Sequence, residues 1–239
     1  MLRIMLTIFL IPIFSFAEVV TKEFQGSDLK ELKVFNLSGD IVVSASKGNQ
    51  AKVIANKTTF EPNCNLIIDK RGALLMVEVS RNGIFESDIC NVHFNIEIPE
   101  KISLNIKSGS GDLEIFGTKG NVALKSGNGD TKISAEVIDL QANLGSGSIE
   151  VDGIVGSADL ETGSGDISLN YAIAPQSGEV EIKAGSGNAV LIFPKDTKLS
   201  TKYSSGSGDL VNDLGDSTDA QFKVSMKAGS GNLKISQKN

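Results

Sequence analysis

Past residue 110 the chain alternates apolar and polar positions in short runs. The apolar pairs include Leu113 and Ile115, Val122 and Leu124, Ile149 and Val151, Ile167 and Leu169, Val180 and Ile182, Val190 and Ile192, and Leu233 and Ile235. A period of two sends successive side chains to opposite faces, so each run predicts a short strand with one buried face. The runs are punctuated by one signature: Gly109-Ser110-Gly111-Asp112, Gly127-Asn128-Gly129-Asp130, Gly145-Ser146-Gly147-Ser148, Gly163-Ser164-Gly165-Asp166, Gly185-Ser186-Gly187-Asn188, Gly206-Ser207-Gly208-Asp209 and Gly229-Ser230-Gly231-Asn232. Its start-to-start intervals are 18, 18, 18, 22, 21 and 23 residues. Each interval holds two strands, one after the Gly-x-Gly corner and one after a second turn such as Gly117-Thr118-Lys119-Gly120 or Gly153-Ile154-Val155-Gly156.

A unit of this size cannot bury its own apolar face. Stacked like on like at about 4.8 Å per coil, the units make one continuous core, and seven coils run roughly 34 Å. An antiparallel meander has the same two turns per 18 residues. The corner recurs every 18 residues and not every 9, so the two turns differ in kind, which favours the coil. The expected fold is all-β: a single-chain parallel β-solenoid of about seven coils of 18–23 residues over 108–239, with a less regular N-terminal β cap over 18–107. The cap shares the grammar of the repeat. Strand, corner and strand are legible in Lys33-Val34-Phe35-Asn36-Leu37-Ser38-Gly39-Asp40-Ile41-Val42-Val43, and alternating runs follow at 51–55, 74–79 and 92–98. At the corners, glycine supplies the positive φ that a tight turn needs.

Residues 1–17 have a different pattern. Arg3 precedes an apolar run from Ile4 to Phe14, and Ser15-Phe16-Ala17 places small residues at the −3 and −1 positions of a cleavage site. This is the pattern of a secretory signal peptide, with the exported chain starting at Glu18. The run is shorter than the roughly 20 residues of a spanning helix, and Pro12 interrupts it. A secreted or periplasmic protein is expected, with no membrane insertion after cleavage and no cysteine at the cleavage site for lipid attachment. In an oxidising compartment the only two cysteines, Cys64 and Cys90, are expected to pair. Closing that loop stabilises by about 3–4 kcal/mol on a chain-entropy argument.

Composition narrows the function. The balance of 23 basic and 29 acidic side chains, −6 overall, leaves no basic patch for a phosphate backbone, so nucleic acid is not an expected partner. With 25 Gly, one His and no Trp, the chain lacks the usual stock of catalytic and sugar-stacking groups. A β-helix lyase or hydrolase needs paired carboxylates in a cleft, or carboxylates beside Arg or Lys. Apart from Arg3 the only arginines are Arg71 and Arg81, outside the regular repeat, and Glu114, Glu150 and Glu181 fall on outward strand positions. His93 lies in an alternating strand and reads as an ordinary surface or half-buried residue, not a general base. The expectation is no enzyme, no catalytic residue, no cofactor and no metal site. The residues after each corner, Asp112, Asp130, Ser148, Asp166, Asn188, Asp209 and Asn232, form an edge ladder. The calcium-binding nonapeptide repeat places its acid one residue later, so the ladder reads as turn chemistry, each short side chain bonding its own turn's amides.

The run Phe35-Asn36-Leu37-Ser38-Gly39-Asp40-Ile41, the extended Val92–Pro99 leading into Leu104-Asn105-Ile106-Lys107-Ser108-Gly109-Ser110-Gly111-Asp112-Leu113, and the corners after it together resemble a family. These are the bacterial secreted repeat proteins called putative adhesins, or adhesin-domain proteins. The resemblance covers nearly all of the chain after residue 17. It implies a β-solenoid at the cell envelope or surface, with roles in attachment or envelope-stress sensing, and it carries over no binding residues. The expected partner is an envelope polymer, a cell-surface glycan or a protein. Two alternatives remain: a polysaccharide-active β-helix enzyme and a calcium-dependent binding module.

Overall fold

The computed structural model describes residues 18–83 and 89–238, so the leader at 1–17 lies outside the described residues. Every regular element among them is a strand. The N-terminal part contains β1 (Glu18–Gln25), β2 (Glu31–Asn36), β3 (Ile41–Ala45), β4 (Gln50–Phe60), β5 (Cys64–Arg71), β6 (Leu74–Arg81) and β7 (Cys90–Ile98). The regular part follows with β8 (Ser103–Ser110), β9 (Leu113–Asn128), β10 (Thr131–Ser146), β11 (Ile149–Ile154), β12 (Ala158–Ser164), β13 (Ile167–Tyr171), β14 (Gly178–Ser186) and β15 (Ala189–Phe193). The chain closes with β16 (Leu199–Ser205), β17 (Leu210–Asn212), β18 (Phe222–Ser230) and β19 (Leu233–Gln237).

Each circuit of the chain is a rung: a strand entering the Gly-x-Gly corner and a strand leaving it. Entering strands pair in the order β5–β6–β2–β8–β9–β10–β12–β14–β18–β16. Leaving strands pair in the order β1–β4–β7–β3–β9–β10–β11–β13–β15–β19–β17. β9 and β10 bend through the second turn and serve both ladders. Register is kept from rung to rung, as in Leu104↔Val122, Val122↔Leu140 and Leu140↔Ala158. These pairings are parallel, which a meander cannot provide. Antiparallel pairing is confined to the N-terminal end, where β1, β4 and β5 add to the stack.

Spatial order departs from chain order at both ends. The β2–β3 rung lies between β6–β7 and β8–β9, and the β18–β19 rung lies between β14–β15 and β16–β17.

Inward positions form columns in a single core, such as Ile41, Leu113, Thr131, Ile149, Ile167, Ala189 and Leu233 beside the corner, apolar at every rung but that of Thr131. One sequence reading is corrected here. Ala189, Leu191 and Phe193 are the buried set of β15, while Val190 and Ile192 are half-buried on the outer face. The run Ala-Val-Leu-Ile-Phe is apolar at both parities, so alternation alone cannot choose; distance from the corner does. Phe193 stacks on Tyr171 with ring centroids 4.5 Å apart, and Phe222 meets Tyr171 edge-on at 5.7 Å. The cysteines pair as expected: Cys64 at the start of β5 is bonded to Cys90 at the start of β7, with Cα atoms 5.7 Å apart.

Candidate functional site

The corners carry the most regular chemistry in the chain, and their two glycines have separate reasons. The second has a left-handed φ, +113° at Gly111 and +114° at Gly147. The first has ordinary φ but lies under the preceding rung: a Cβ on Gly163 would sit 2.5 Å from the Gly145 carbonyl oxygen. Sequence reasoning found the first cause and missed the second, because close approach depends on the rung above.

The residue after each corner bonds across rungs, which corrects the expectation that it serves its own turn. Asp40 Oδ1 accepts the Asp112 amide at 2.9 Å, Asp112 Oδ1 the Asp130 amide at 2.9 Å, and Asp130 Oδ1 the Ser148 amide at 2.8 Å. Ser148 Oγ accepts from Asp166 at 3.3 Å, and Asp166 Oδ1 from Asn188 at 2.8 Å. Asn188 Oδ1 then accepts from Asn232 at 3.1 Å, and Asn232 Oδ1 from Asp209 at 2.8 Å. In-register stacking at about 4.8 Å brings the next rung's N–H over each side-chain oxygen, so the cross-rung bond displaces the local one. Among the corner residues, Asp, Asn and Ser interchange because all three offer an acceptor.

His93 stands at the head of this ladder. It occupies the same place on β7 as Asp40 does one rung on, and its Nδ1 accepts the Asp40 amide at 3.2 Å. That bond requires a free lone pair on Nδ1. Asp40 Oδ2 also lies 3.2 Å away, positioned to accept a proton bound there instead.

Two shallow surfaces flank the corners. A groove of about 600 Å³ follows the ladder over the leaving strands, past Asp112, Glu114, Asp130, Lys132 and Glu150. Over the entering strands, one groove of about 430 Å³ is lined by Asn105, Asp139, Gln141, Asp159, Glu179 and Glu181. Its neighbour of about 320 Å³ adds Lys107, Lys125, Asn143 and Glu161. Register explains the charge layout. Asn105, Ala123, Gln141, Asp159 and Glu181 form one outward row, and Lys107, Lys125, Asn143, Glu161 and Lys183 the next, two residues nearer the corner. Lys183 is bonded to Glu181 at 2.8 Å; that bond, with Asp159 and Glu161 nearby, holds its ammonium above the ordinary value. Writing the circuits one beneath another would have revealed these rows from the sequence.

Of the groups weighed for catalysis, Arg71 pairs with Asp69 at 2.8 Å, while Glu114 and Glu150 stand on either side of Lys132 in one outward row of the leaving strands, along the groove that follows the ladder. Among the described residues no three His, Cys, Asp or Glu side chains are grouped to hold a metal ion. Burial, helped by the Asp139 charge, pushes the Tyr171 phenol well up from its ordinary range, and its hydroxyl is buried with no hydrogen-bond partner.

Residues 21–239 match the Toastrack DUF4097 family. Solved structures with a similar course include a putative cell adhesion protein from Clostridium sporogenes, 20% identical, covering 93% of this chain and 100% of that one at a TM-score of 0.43. A putative adhesin from Bacteroides fragilis is 12% identical, with 91% and 97% covered and a TM-score of 0.47. One from Parabacteroides distasonis is 14% identical, with 93% and 98% covered at 0.41. No curated protein matches the chain.

Proposed function

The chain belongs to the Toastrack DUF4097 family, and from that premise we propose that it is a non-catalytic binding module of the bacterial envelope or surface. On this reading residues 1–17 are a cleaved signal peptide, 18–107 a disulfide-stapled β cap and 108–239 a β-solenoid of about seven coils, secreted or periplasmic. The supporting observation is the outer face of the entering strands. Its side chains stand in straight rows, rung over rung: Asn105, Ala123, Gln141, Asp159 and Glu181 in one, and Lys107, Lys125, Asn143, Glu161 and Lys183 in the next, with Glu181 beside Lys183.

Rows repeating at about 4.8 Å suit a partner that is itself extended or repetitive. Each contact is weak, because exposed ion pairs contribute about 0–1 kcal/mol, and affinity accrues by repetition. The partner class is an envelope polymer, a cell-surface glycan or a protein.

The test is co-sedimentation of the purified protein with the producing organism's isolated envelope and, in parallel, with intact foreign cells, each with calcium and with chelator. Retention by one of these, lost in a Lys107→Glu/Lys125→Glu/Lys183→Glu variant, supports the reading. A protein that stays in the supernatant in every arm sinks it. Retention by its own envelope alone assigns a resident partner and retires the adhesive role. Turnover of released sugars by the protein would replace the binding reading with an enzymatic one.

A further inference from the structure

The two ends of the stack are finished differently. At the N-terminal end the parallel rungs are covered by antiparallel strands, and the outermost, β1, carries Glu18, Lys22 and Glu23 along its edge. The other end stops at the β16–β17 rung. Leu210 occupies the column that is otherwise buried, with Leu233 0%, Ala189 1% and Ile167 2% exposed, yet it is 40% exposed, and Val211 beside it is 48% exposed. Every second N–H and C=O of an edge strand points away from its only neighbour, so the rung presents a strip of main-chain donors and acceptors, closed only at Leu199, whose carbonyl accepts the Ser217 amide at 2.9 Å. Asp209 donates its amide to Asn232 and is the last residue of the corner ladder; no rung of the described residues lies beyond it.

Charge is divided across this end. The chain enters the rung along β16, whose exposed outward cation is Lys202, and leaves along β17 toward the exposed Asp213 and Asp216. Lys202 stands four residues before Gly206, and Asp213 four residues after Asp209. They are therefore at equal depth from the corner on opposite ladders.

We propose that the β16–β17 rung is a self-association face, taken by the same rung of a second copy related by a two-fold axis along the rung. That axis places β16 of each copy antiparallel to β17 of the other and lays corner on corner. It brings Lys202 against Asp213 of the second copy on the outer face and shields Leu210 with the main chain and Ser205. A two-fold axis perpendicular to the strands would instead set Lys202 on Lys202 and Asp213 on Asp213. Head-to-tail stacking meets the antiparallel, charged N-terminal end, whose outer strands have no Gly-x-Gly corner. The contact is closed and produces a dimer, not a fibre. It is independent of the binding role proposed above.

The experiment is sedimentation velocity on the purified protein and on Lys202→Glu, Asp213→Lys and the double exchange. Circular dichroism melts of each report folding, which both exposed positions leave intact. The expected result is a dimer for the parent, monomers for both single variants and a dimer again for the double exchange. Salt should weaken the parent dimer. A parent that remains monomeric at hundreds of micromolar overturns the proposal. So does an open-ended polymer, or a double exchange that stays monomeric while melting as the parent does.

Discussion

Glycine serves the corners in two ways, and four alanine substitutions separate them. Gly48 has ordinary φ and open space around it, and Gly72 has φ +58° with nothing within 4 Å of where a Cβ would stand. Gly163 has ordinary φ, but its Cβ would lie 2.5 Å from the Gly145 oxygen; Gly111 combines φ +113° with a 2.5 Å approach to the Gly39 oxygen. Gly48→Ala should stabilise by about 0.4–1 kcal/mol, because it restricts only the unfolded chain. Gly72→Ala forces an L-residue into the left-handed region and should cost about 1–2 kcal/mol. Ordinary contact begins near 3.4 Å, so at Gly163 the rungs must part by 3.4 − 2.5 = 0.9 Å. That weakens several corner hydrogen bonds worth about 1 kcal/mol each, a loss of about 2–4 kcal/mol. Gly111→Ala adds backbone strain of about 1–3 kcal/mol to the same clash and should be the most damaging, at about 3–7 kcal/mol. Urea denaturation followed by circular dichroism gives all four numbers. If Gly163→Ala costs no more than Gly72→Ala, the rungs are not held at contact distance by the first glycine and the account of the corner fails.

Three further outcomes are expected. Asp130→Asn keeps an acceptor for the Ser148 amide and should stay within a few tenths of a kcal/mol of the parent, whereas Asp130→Ala should lose about 1 kcal/mol in the same urea assay; equal losses would make the bond irrelevant. Tyr171→Phe removes a buried hydroxyl with no partner and should raise the denaturation midpoint, with a gain of about 1–3 kcal/mol less the small void it leaves; a clear loss would mean that the hydroxyl is satisfied. Hydrogen bonds from Lys198 and Ser217 hold the Asp219 carboxyl down at about 2, below its usual 3.8. A depressed pKa contributes stability above the unfolded value, so this contribution should disappear as pH falls from about 4 through 2, and Asp219→Asn should flatten that part of the pH–stability curve.

Much of the fold was legible because its causes are local. Strands, corners and the 18-residue circuit follow from alternation and from Gly-Ser-Gly-Asp, and the pairing of Cys64 with Cys90 needed only their number and the expected compartment. What was hidden depends on neighbours far along the chain. Nothing in residues 222–237 tells that they lie ahead of residues 199–212 in the stack, since both rungs carry the same corner. Nothing around His93 marks it as the first member of the corner ladder, because its rung lacks the Gly-x-Gly signature. The acceptor role of Asp112 or Asp130 was attached to the right atoms and the wrong amide. A single turn offers its own N–H groups to view, and the better-placed donor arrives only with the next circuit.

The displacement of the β2–β3 and β18–β19 rungs has a consequence for how the molecule is assembled and taken apart. In a simple coil each new turn is laid on the last, and a chain shortened from either terminus merely loses a layer. Here residues 222–237 must slip between two layers already synthesised, and residues 31–45 must wait for 74–116 before both their sides are occupied. Contacts of that sequence separation slow folding. Unravelling from the C-terminal side is hindered in turn, because the β18–β19 rung is clamped on two sides while the outermost layer at that end, β16–β17, is anchored at both of its own ends. Excising 222–237 would open a slot inside the pile, and its signature would be the loss of protection from amide exchange in 178–193 and 199–212 together, not a shorter stack with an intact interior.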